Sequence, residues 1–137
     1  MSEKDLLYIY CDGSSRGNPG PAAIGVSGQT RDGKEIFFIS ESIGNATNNV
    51  AEWGALHRGM EKALQLGETK VQFKLDSELV VKQMKGEYKV KNKDLLQYKI
   101  ACEKLKPGFE FFEIKYIPRE QNSRADALAN LAQDAKQ

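Results

Sequence analysis

The sequence predicts an α/β fold, and two observations lead to this prediction. Residues 6–12 place Leu, Ile and Tyr on both faces and carry no charge before Asp12, as is typical of a central strand buried on both sides. The apolar spacings along the whole chain then predict the element order βββαβααβα. A strand that follows a crossover helix can lie parallel to the first strand, so one sheet with helices on its faces is favoured.

The first half of the chain contains a glycine-rich turn, two further strands and a helix. Gly13 follows Asp12 directly and begins the predicted turn, which runs to residue 20. Thr47 or Asn48 is the predicted N-cap of the helix, because both side chains can accept a backbone N–H. The predicted boundaries are strands at 22–27 and 36–43, a hairpin turn at 31–33, a polar break at 44–49, and a helix that stops at Gly67.

The second half alternates strands with helices. Apolar and polar residues alternate up to Asp76, which ends a strand, and Ser77 can cap the helix that follows. Pro107 and Gly108 end the next helix. The predicted boundaries are a strand at 71–76, a short helix at 78–85, a lysine-rich loop at 86–93, a helix through Leu95, Tyr98, Cys102 and Leu105, a strand at 109–117, and a helix at 123–136.

Composition predicts one globular domain spanning residues 1–137, with 40% hydrophobic and 28% charged residues. The sequence contains no apolar window of about 18 residues, so no membrane span is predicted. The first residues do not resemble a signal peptide. Cys11 and Cys102 lack metal-ligand spacing, and we expect a reduced, cytoplasmic protein. Since the net charge is only +1, binding of a nucleic acid would depend on a local basic patch.

Four carboxylates occur where predicted elements begin or end, or beside a break: Asp12, Glu52, Asp76 and Asp126. Because ligands gather at the carboxyl ends of parallel strands, we expect Asp12 and Asp76 to lie close together. Oxygen ligands without His or Cys suit Mg²⁺ or Mn²⁺, and such a pocket favours two ions about 4 Å apart acting on a phosphodiester. The alternative is that Glu52 and Asp126 only serve helix N-termini, Asp126 through a capping box with Ser123. Spacing alone leaves both interpretations open.

Four motifs closely resemble those of the bacterial and archaeal type 1 ribonucleases H. They are DGSSRGNPG at 12–20, TNNVAE at 47–52, LDS at 75–77 and NSRAD at 122–126, so the resemblance spans essentially the whole domain. It implies a ribonuclease H-like fold with a five-stranded mixed sheet, three antiparallel strands followed by parallel crossovers, flanked by helices. It also implies endonucleolytic cleavage of the RNA strand of an RNA–DNA hybrid by two Mg²⁺ ions, leaving 3′-hydroxyl and 5′-phosphate ends.

The resemblance implies roles for individual residues. The four acids would be catalytic metal ligands, with Asp12 shared by both ions. Backbone amides near Gly13 and Ser14, and the short amides of Asn18, Asn48 and Asn49, would face the minor groove, where RNA is distinguished by its 2′-hydroxyl. Thr47 and Asn92 would hold a phosphate of the DNA strand. Asn48 and Asn49 are alternatively turn and cap residues only.

Five lysines and one glutamate, Glu87, lie between residues 82 and 93. This basic patch, which includes Lys89 and Lys91, is a candidate phosphate track, and the alternative is a solvated helix end and loop. The expected partner is an RNA–DNA hybrid, with double-stranded RNA as a further candidate, and we expect a monomer.

Three features depart from the family pattern. The longer relatives carry a basic, Trp-rich protrusion, and here a short loop with Tyr88 as its one aromatic ring replaces it. Glu78 replaces an amide that contacts RNA in many relatives. The segment before the last helix lacks the histidine of many relatives, so Arg119 is the candidate for its catalytic role. The one histidine, His57, is interpreted as structural or solvated.

Two alternative functions stay open, and these departures motivate the first. One is a hybrid- or duplex-binding module without turnover, and the other is a nuclease of the same fold that also cuts double-stranded RNA. The presence of all four acids argues against the binding module, because such a module has no need for a cluster of like charges.

Overall fold

A computed structural model describes residues 6–135 of the chain, and the predicted element order is confirmed there. The five strands are β1 (Leu7–Ser15), β2 (Gly20–Gln29), β3 (Glu35–Ala46), β4 (Lys70–Leu75) and β5 (Phe111–Tyr116). The four helices are α1 (Asn48–Gln65), α2 (Glu78–Lys85), α3 (Lys93–Leu105) and α4 (Ser123–Ala135), with 3₁₀ turns at Lys106–Gly108 and Arg119–Gln121. The expectation that the chain lacks a signal peptide depends on its first residues, of which 1–5 lie outside the described residues. The predicted end of the last helix, Lys136, also lies outside them.

The strands form one sheet in the order β3-β2-β1-β4-β5, which confirms the five-stranded mixed sheet. The β1–β2 and β2–β3 pairs are antiparallel, and the β1–β4 and β4–β5 pairs are parallel. The last pair in the β1–β4 register is Cys11 with Leu75, so Asp12 and Asp76 follow at the same carboxyl edge.

The uncharged run of β1 before Asp12 reflects the central place of this strand in the sheet. Ile9 and Cys11 are fully buried beneath α1, and α4 packs on β1, β2 and β3 from the opposite face. The largest fully buried side chains include Trp53 of α1 and Phe73 of β4. Both faces of β1 are therefore covered near its carboxyl end.

Two predicted breaks start later than expected. Strand β1 continues past Asp12 to Ser15, because Gly13, Ser14 and Ser15 pair with β2 instead of turning at once. Strand β3 likewise continues through the predicted polar break to Ala46, with a register irregularity opposite the positive-φ residue Gly44. The remaining boundaries agree to within a few residues.

The caps and the cysteines follow the predictions. Thr47 is the N-cap of α1, and Ser77 caps α2 through a bond from the N–H of Val80. Cys11 and Cys102 are free and buried, and burial raises the pKa of both thiols. Within residues 6–135 no helix has the length and apolarity that crossing a bilayer requires.

Candidate active site

The fold brings the predicted acids to one cavity of about 350 Å³ at the carboxyl edge of β1 and β4. Asp12, Glu52 and Asp76 each offer an oxygen, and these three oxygens lie within 4.8 Å of one another. Asp126, from the first turn of α4, lines the same cavity outside this triad. The expected proximity of Asp12 and Asp76 is confirmed, and oxygen-only donors at this spacing can hold a divalent metal.

Glu52 reaches the triad because α1 lies unusually close to β1. The N–H of Gly13 donates to Glu52 Oε1 at 3.0 Å. A Cβ at residue 13 would lie only 2.1 Å from the carbonyl oxygen of Ala51, so any larger residue would push the helix away. The glycine after Asp12 therefore permits a close helix–strand approach, which its prediction as a turn residue had not anticipated.

Burial and mutual repulsion raise the pKa of each triad carboxyl. Asp12 is 7% exposed, and burial together with the charge of Asp76 raises its pKa to about 7. Glu52 is 5% exposed, and burial followed by the charge of Asp12 raises its pKa well above the ordinary value. Burial also raises the pKa of Asp76. A cation between these groups would relieve both effects.

One oxygen of the triad has no protein partner. Glu52 Oε2 is buried and accepts no hydrogen bond within the described chain. Leaving a buried carboxylate oxygen unpaired is costly, and native structures seldom tolerate it without a ligand or a functional reason. The donor set and this oxygen both fit a hard divalent cation.

Asn122 is a site residue to which the sequence analysis assigned no role. It is fully buried, and its Nδ2 donates to the carbonyl oxygen of Cys11 at 2.9 Å and to Asp76 Oδ2 at 3.3 Å. It precedes α4, and its carbonyl oxygen accepts the N–H of Asp126 at 3.1 Å. An asparagine directly before a predicted helix is a recognisable cap, but its contacts to β1 and Asp76 could not be read from the sequence.

Arg119 lies on the 3₁₀ turn before α4 and lines the acidic cavity, together with Gly13, Ser14 and Asn48. Its positive charge acts on Asp76 and opposes the rise in the pKa of that carboxyl. The position predicted to replace the absent histidine therefore faces the cavity.

A second cavity, of about 390 Å³, collects five of the predicted substrate residues: Asn18, Thr47, Asn48, Asn49 and Asn92. The N–H of Asn48 donates to Asn18 Oδ1, and Asn48 Oδ1 accepts the N–H of Ser15, both at 3.0 Å. These bonds connect the glycine-rich turn to the start of α1. Asn48 thus has a structural role, as its alternative interpretation proposed, and it also lines both cavities.

Asn92 is also the N-cap of α3. Its Oδ1 accepts the N–H groups of Asp94 and Leu95 at 2.9 and 3.1 Å, which engages the acceptor end of the amide and leaves Nδ2 as the end that can donate to an anion. Asp94 lines the same cavity and contributes a negative charge to it.

The basic patch, residues 82–93, is held by buried contacts. Gln83 is 5% exposed, its Oε1 accepts from Trp53 Nε1 at 3.0 Å, and its Nε2 donates to the carbonyl oxygen of Lys89 at 3.3 Å. Lys82 Nζ lies 3.3 Å from the Tyr88 hydroxyl and 5.0 Å from its ring centroid. Lys89 and Lys91 are exposed.

Two residues singled out in the sequence lie outside the acidic cavity. Glu78 is exposed, with its carboxylate 3.9 Å from Lys82 Nζ, so its nearest described ionic partner is a lysine of the basic patch. His57 packs edge-on against Tyr98, with ring centroids 6.2 Å apart, and its Nδ1 lies 3.7 Å from Glu61. These contacts support the structural interpretation of His57.

Comparisons with known proteins agree with this geometry. Residues 10–132 match the model of a family described as reverse transcriptase-like. The chain is 44% identical over 130 residues to the bifunctional protein Rv2228c of Mycobacterium tuberculosis, covering 94% of this chain and 36% of that protein. It is 41% identical over 128 residues to ribonuclease HI of Halobacterium salinarum, covering 93% of this chain and 64% of that protein. The chain thus spans about a third of the mycobacterial relative.

Solved structures are similar to the chain in both sequence and fold. The crystal structure of RNase H1 from H. salinarum superposes with a TM-score of 0.92 at 41% identity, covering 95% of this chain and 98% of that one. LC11-RNase H1 in complex with an RNA/DNA hybrid superposes with a TM-score of 0.90 at 41% identity, with the same coverage of both chains. The likeness in sequence and in fold extends over nearly the full length of both structures, and the chain therefore belongs to the type 1 ribonuclease H family.

Proposed function

We propose that the protein is a metal-dependent endoribonuclease that hydrolyses the RNA strand of an RNA–DNA hybrid and leaves 3′-hydroxyl and 5′-phosphate ends. The observation that carries this proposal is the triad of carboxyl oxygens within 4.8 Å of one another, with Glu52 Oε2 buried and unpartnered. A module that only bound nucleic acid would gain nothing from acids that repel phosphate. The relatives named ribonuclease HI, and the hybrid bound to LC11-RNase H1, support the substrate class.

The proposed cofactor is a pair of Mg²⁺ ions, for which Mn²⁺ can substitute. Asp12, Glu52, Asp76 and Asp126 would hold them, with Asp12 shared. When bound, such ions activate a water molecule and neutralise charge that develops on the phosphate. The raised pKa of Asp12, about 7, means that at neutral pH this carboxyl releases its proton as a cation binds.

The chain's own residues would hold the two strands differently. The backbone at Gly13 and Ser14, with Asn18, Asn48 and Asn49, would read the minor groove, because 2′-hydroxyl groups line it in an A-like duplex. Thr47 and the free Nδ2 of Asn92 would hold a phosphate of the DNA strand, and Lys89 and Lys91 would follow the backbone beyond it.

Arg119 would contact the scissile phosphate or the product. A guanidinium in the acidic cavity can pair with phosphate oxygens in two-point geometry. We further propose that the protein acts as a monomer in the cytoplasm, a reducing compartment that suits its two free, buried cysteines.

Strand-labelled RNA–DNA hybrid, double-stranded RNA and double-stranded DNA, each with Mg²⁺, Mn²⁺ or EDTA, test the function. We expect cleavage of the RNA strand of the hybrid with either metal and none in EDTA. Asp12→Asn should lower turnover by more than about 100-fold and should leave hybrid binding intact. The loss should exceed about 100-fold because that is the upper end of the effect of losing a group that only orients a metal ligand.

Asp134→Asn is the matched control, because Asp134 is an exposed acid on α4 that pairs with Arg16 at 2.7 Å. It should keep wild-type turnover. Tight hybrid binding without cleavage in any metal would identify a binding module, and equal cleavage of double-stranded RNA would broaden the substrate class.

Metal-free protein should lose stability as pH rises from about 4 to about 7. Over that range the folded state keeps a proton on Asp12, whose pKa is about 7, while the unfolded state has lost it. Stability from this proton is complete below the unfolded pKa and is lost as pH rises through the folded pKa, and the raised pKa values of Glu52 and Asp76 act in the same direction. Urea unfolding in EDTA at several pH values measures the effect.

Asp12→Asn should exceed wild type in free energy of unfolding by about 1–3 kcal/mol in EDTA at pH 7.5, since each pKa unit is worth about 1.4 kcal/mol. Mg²⁺ should stabilise wild type more than the variant and close the gap, because it binds only the folded site. Asp134→Asn should show neither effect. A variant less stable than wild type in EDTA would mean that Asp12 is a hydrogen-bonded structural acid.

Replacing Lys89, Lys91 and Lys93 together with alanine should weaken hybrid binding and flatten its salt dependence. The slope of log K against log salt should fall by up to about 0.9 for every phosphate that the protein no longer neutralises. Replacing Lys34, Lys104 and Lys115 removes the same charge from other elements and should leave the slope near wild type. Equal slopes for both triple variants would mean that the basic patch is only a solvated helix end and loop.

Arg119→Ala should lower kcat much more than it raises KM, because a group that acts on the reacting phosphate contributes mainly in the transition state. Arg119→Lys keeps the charge and loses the two-point geometry, so it should recover only part of kcat. Steady-state kinetics on the hybrid separate the two constants. A rise in KM alone would make Arg119 a binding residue.

A further inference from the structure

The side chain of Asn122 is enclosed where β1, β4 and α4 meet. It is fully buried, and the residues it bonds are distant in sequence, Cys11 lying 111 positions away and Asp76 46 positions away. Pairing between β1 and β4 ends at Cys11 and Leu75, and the Asn122 amide donates to the carbonyl oxygen of Cys11 at that point. The peptide that the amide holds is therefore the one that leads into Asp12.

Three of the four acids are tied to this residue by different bonds. Through Cys11 it fixes the backbone before Asp12, and through Nδ2 it donates to Asp76 Oδ2 at 3.3 Å. Its own carbonyl oxygen accepts the N–H of Asp126 at 3.1 Å, which sets the start of α4. Asn122 thus links the start of α4 to two parts of the chain that lie 111 and 46 positions away in sequence.

The orientation of the amide is determined by its surroundings. Both neighbours of Nδ2 are acceptors, a carbonyl oxygen and a carboxylate oxygen, so a flipped amide would place Oδ1 against two other oxygens. In the observed orientation Oδ1 is buried without a partner in the described chain. The fold therefore keeps an unpaired acceptor in order to place two N–H donors beside the acids.

We propose that Asn122 is a positioning residue that holds the carboxylate of Asp76 toward Asp12 and Glu52 before metal binds. Its bonds fix both the Cys11 carbonyl oxygen and Asp76 Oδ2, so the carboxylate of Asp76 is held at a set place relative to the strand that carries Asp12. This inference rests on the proposed metal-dependent function. Loss of the bond should leave the carboxylate of Asp76 free to turn away from the other two acids.

Gln133 offers a matched control on the same helix. It is 3% exposed, and its Nε2 donates to the carbonyl oxygens of Ser14 at 3.3 Å and Pro21 at 2.9 Å. It is thus another buried amide that ties α4 to the sheet, but it touches none of the four acids. Asn122→Leu and Gln133→Leu each remove a buried amide, and only the first removes a bond to a proposed metal ligand.

Titration calorimetry with Mg²⁺ and no nucleic acid is the deciding measurement. Asn122→Leu and Asn122→Ala should bind Mg²⁺ about 10–100-fold more weakly than wild type, the usual effect of losing a group that orients a metal ligand. Gln133→Leu should bind Mg²⁺ within about 2-fold of wild type, since its bonds end on the carbonyl oxygens of Ser14 and Pro21 and not on a proposed metal ligand. Urea unfolding should show a smaller gain from Mg²⁺ for both Asn122 variants than for Gln133→Leu.

A measurement on the wild-type protein guards against variants that fail to fold. The side-chain amide NMR signals of Asn122 should be protected from solvent exchange and should shift on Mg²⁺ addition with the midpoint found by calorimetry. Wild-type Mg²⁺ affinity in folded Asn122 variants, or amide signals that Mg²⁺ does not move, would reduce Asn122 to a structural residue of the core while leaving the proposed function intact. A wild-type protein that binds no Mg²⁺ and cleaves no hybrid would overturn both.

Discussion

Mutual repulsion among three clustered carboxylates, two of them buried, is the constraint that the rest of this fold must accommodate. Asp12 and Glu52 are 7% and 5% exposed, so water does little to screen their charges from each other or from Asp76. Two bonds hold the arrangement within the protein: the N–H of Gly13 to Glu52, and the amide of Asn122 to Asp76. Neither bond offsets burial and the neighbouring negative charges, because the pKa values of all three carboxyls remain raised. The remaining unfavourable free energy of the clustered carboxylates is offset by the hydrophobic core that the same strands and helices form.

Two glycines allow helices to approach the centre of the sheet from opposite faces. A Cβ at Gly13 would meet the Ala51 carbonyl oxygen of α1 at 2.1 Å, and a Cβ at Gly25 would meet the Ala125 carbonyl oxygen of α4 at the same distance. Gly25 is the β2 partner of Asp12 in the sheet register. The same short stretch of sheet therefore draws in the helix that carries Glu52 and the helix that carries Asp126, because no side chain stands between them. Close packing and the assembly of the acids are one structural solution.

The sequence was most informative where the residues of a single element determine its structure. The uncharged run before Asp12 predicted the central strand, and parallel crossovers predicted that Asp12 and Asp76 would meet at one edge, which the Cys11–Leu75 register confirms. The exact ends of β1 and β3 depended on partner strands, so pairing carried both beyond the predicted breaks. The role of Asn122 was hidden for the same reason, because its bonding partners are brought to it only by the folded sheet.

The basic patch shows how a short chain can give a loop a fixed position without a protruding element. Trp53 directly follows Glu52 in α1, and its indole N–H bonds to Gln83, whose amide in turn bonds to the backbone of Lys89. Lys99 of α3 reinforces the same place, donating to the carbonyl oxygen of Gln83 at 2.6 Å. The separation between the acidic cavity and the exposed lysines is thus set by buried hydrogen bonds. Because 19 acids nearly balance the 20 Lys and Arg residues, the net charge of +1 gives the chain little long-range attraction for a polyanion. The position of the lysine-rich loop relative to the carboxylates therefore matters more than the total number of positive charges.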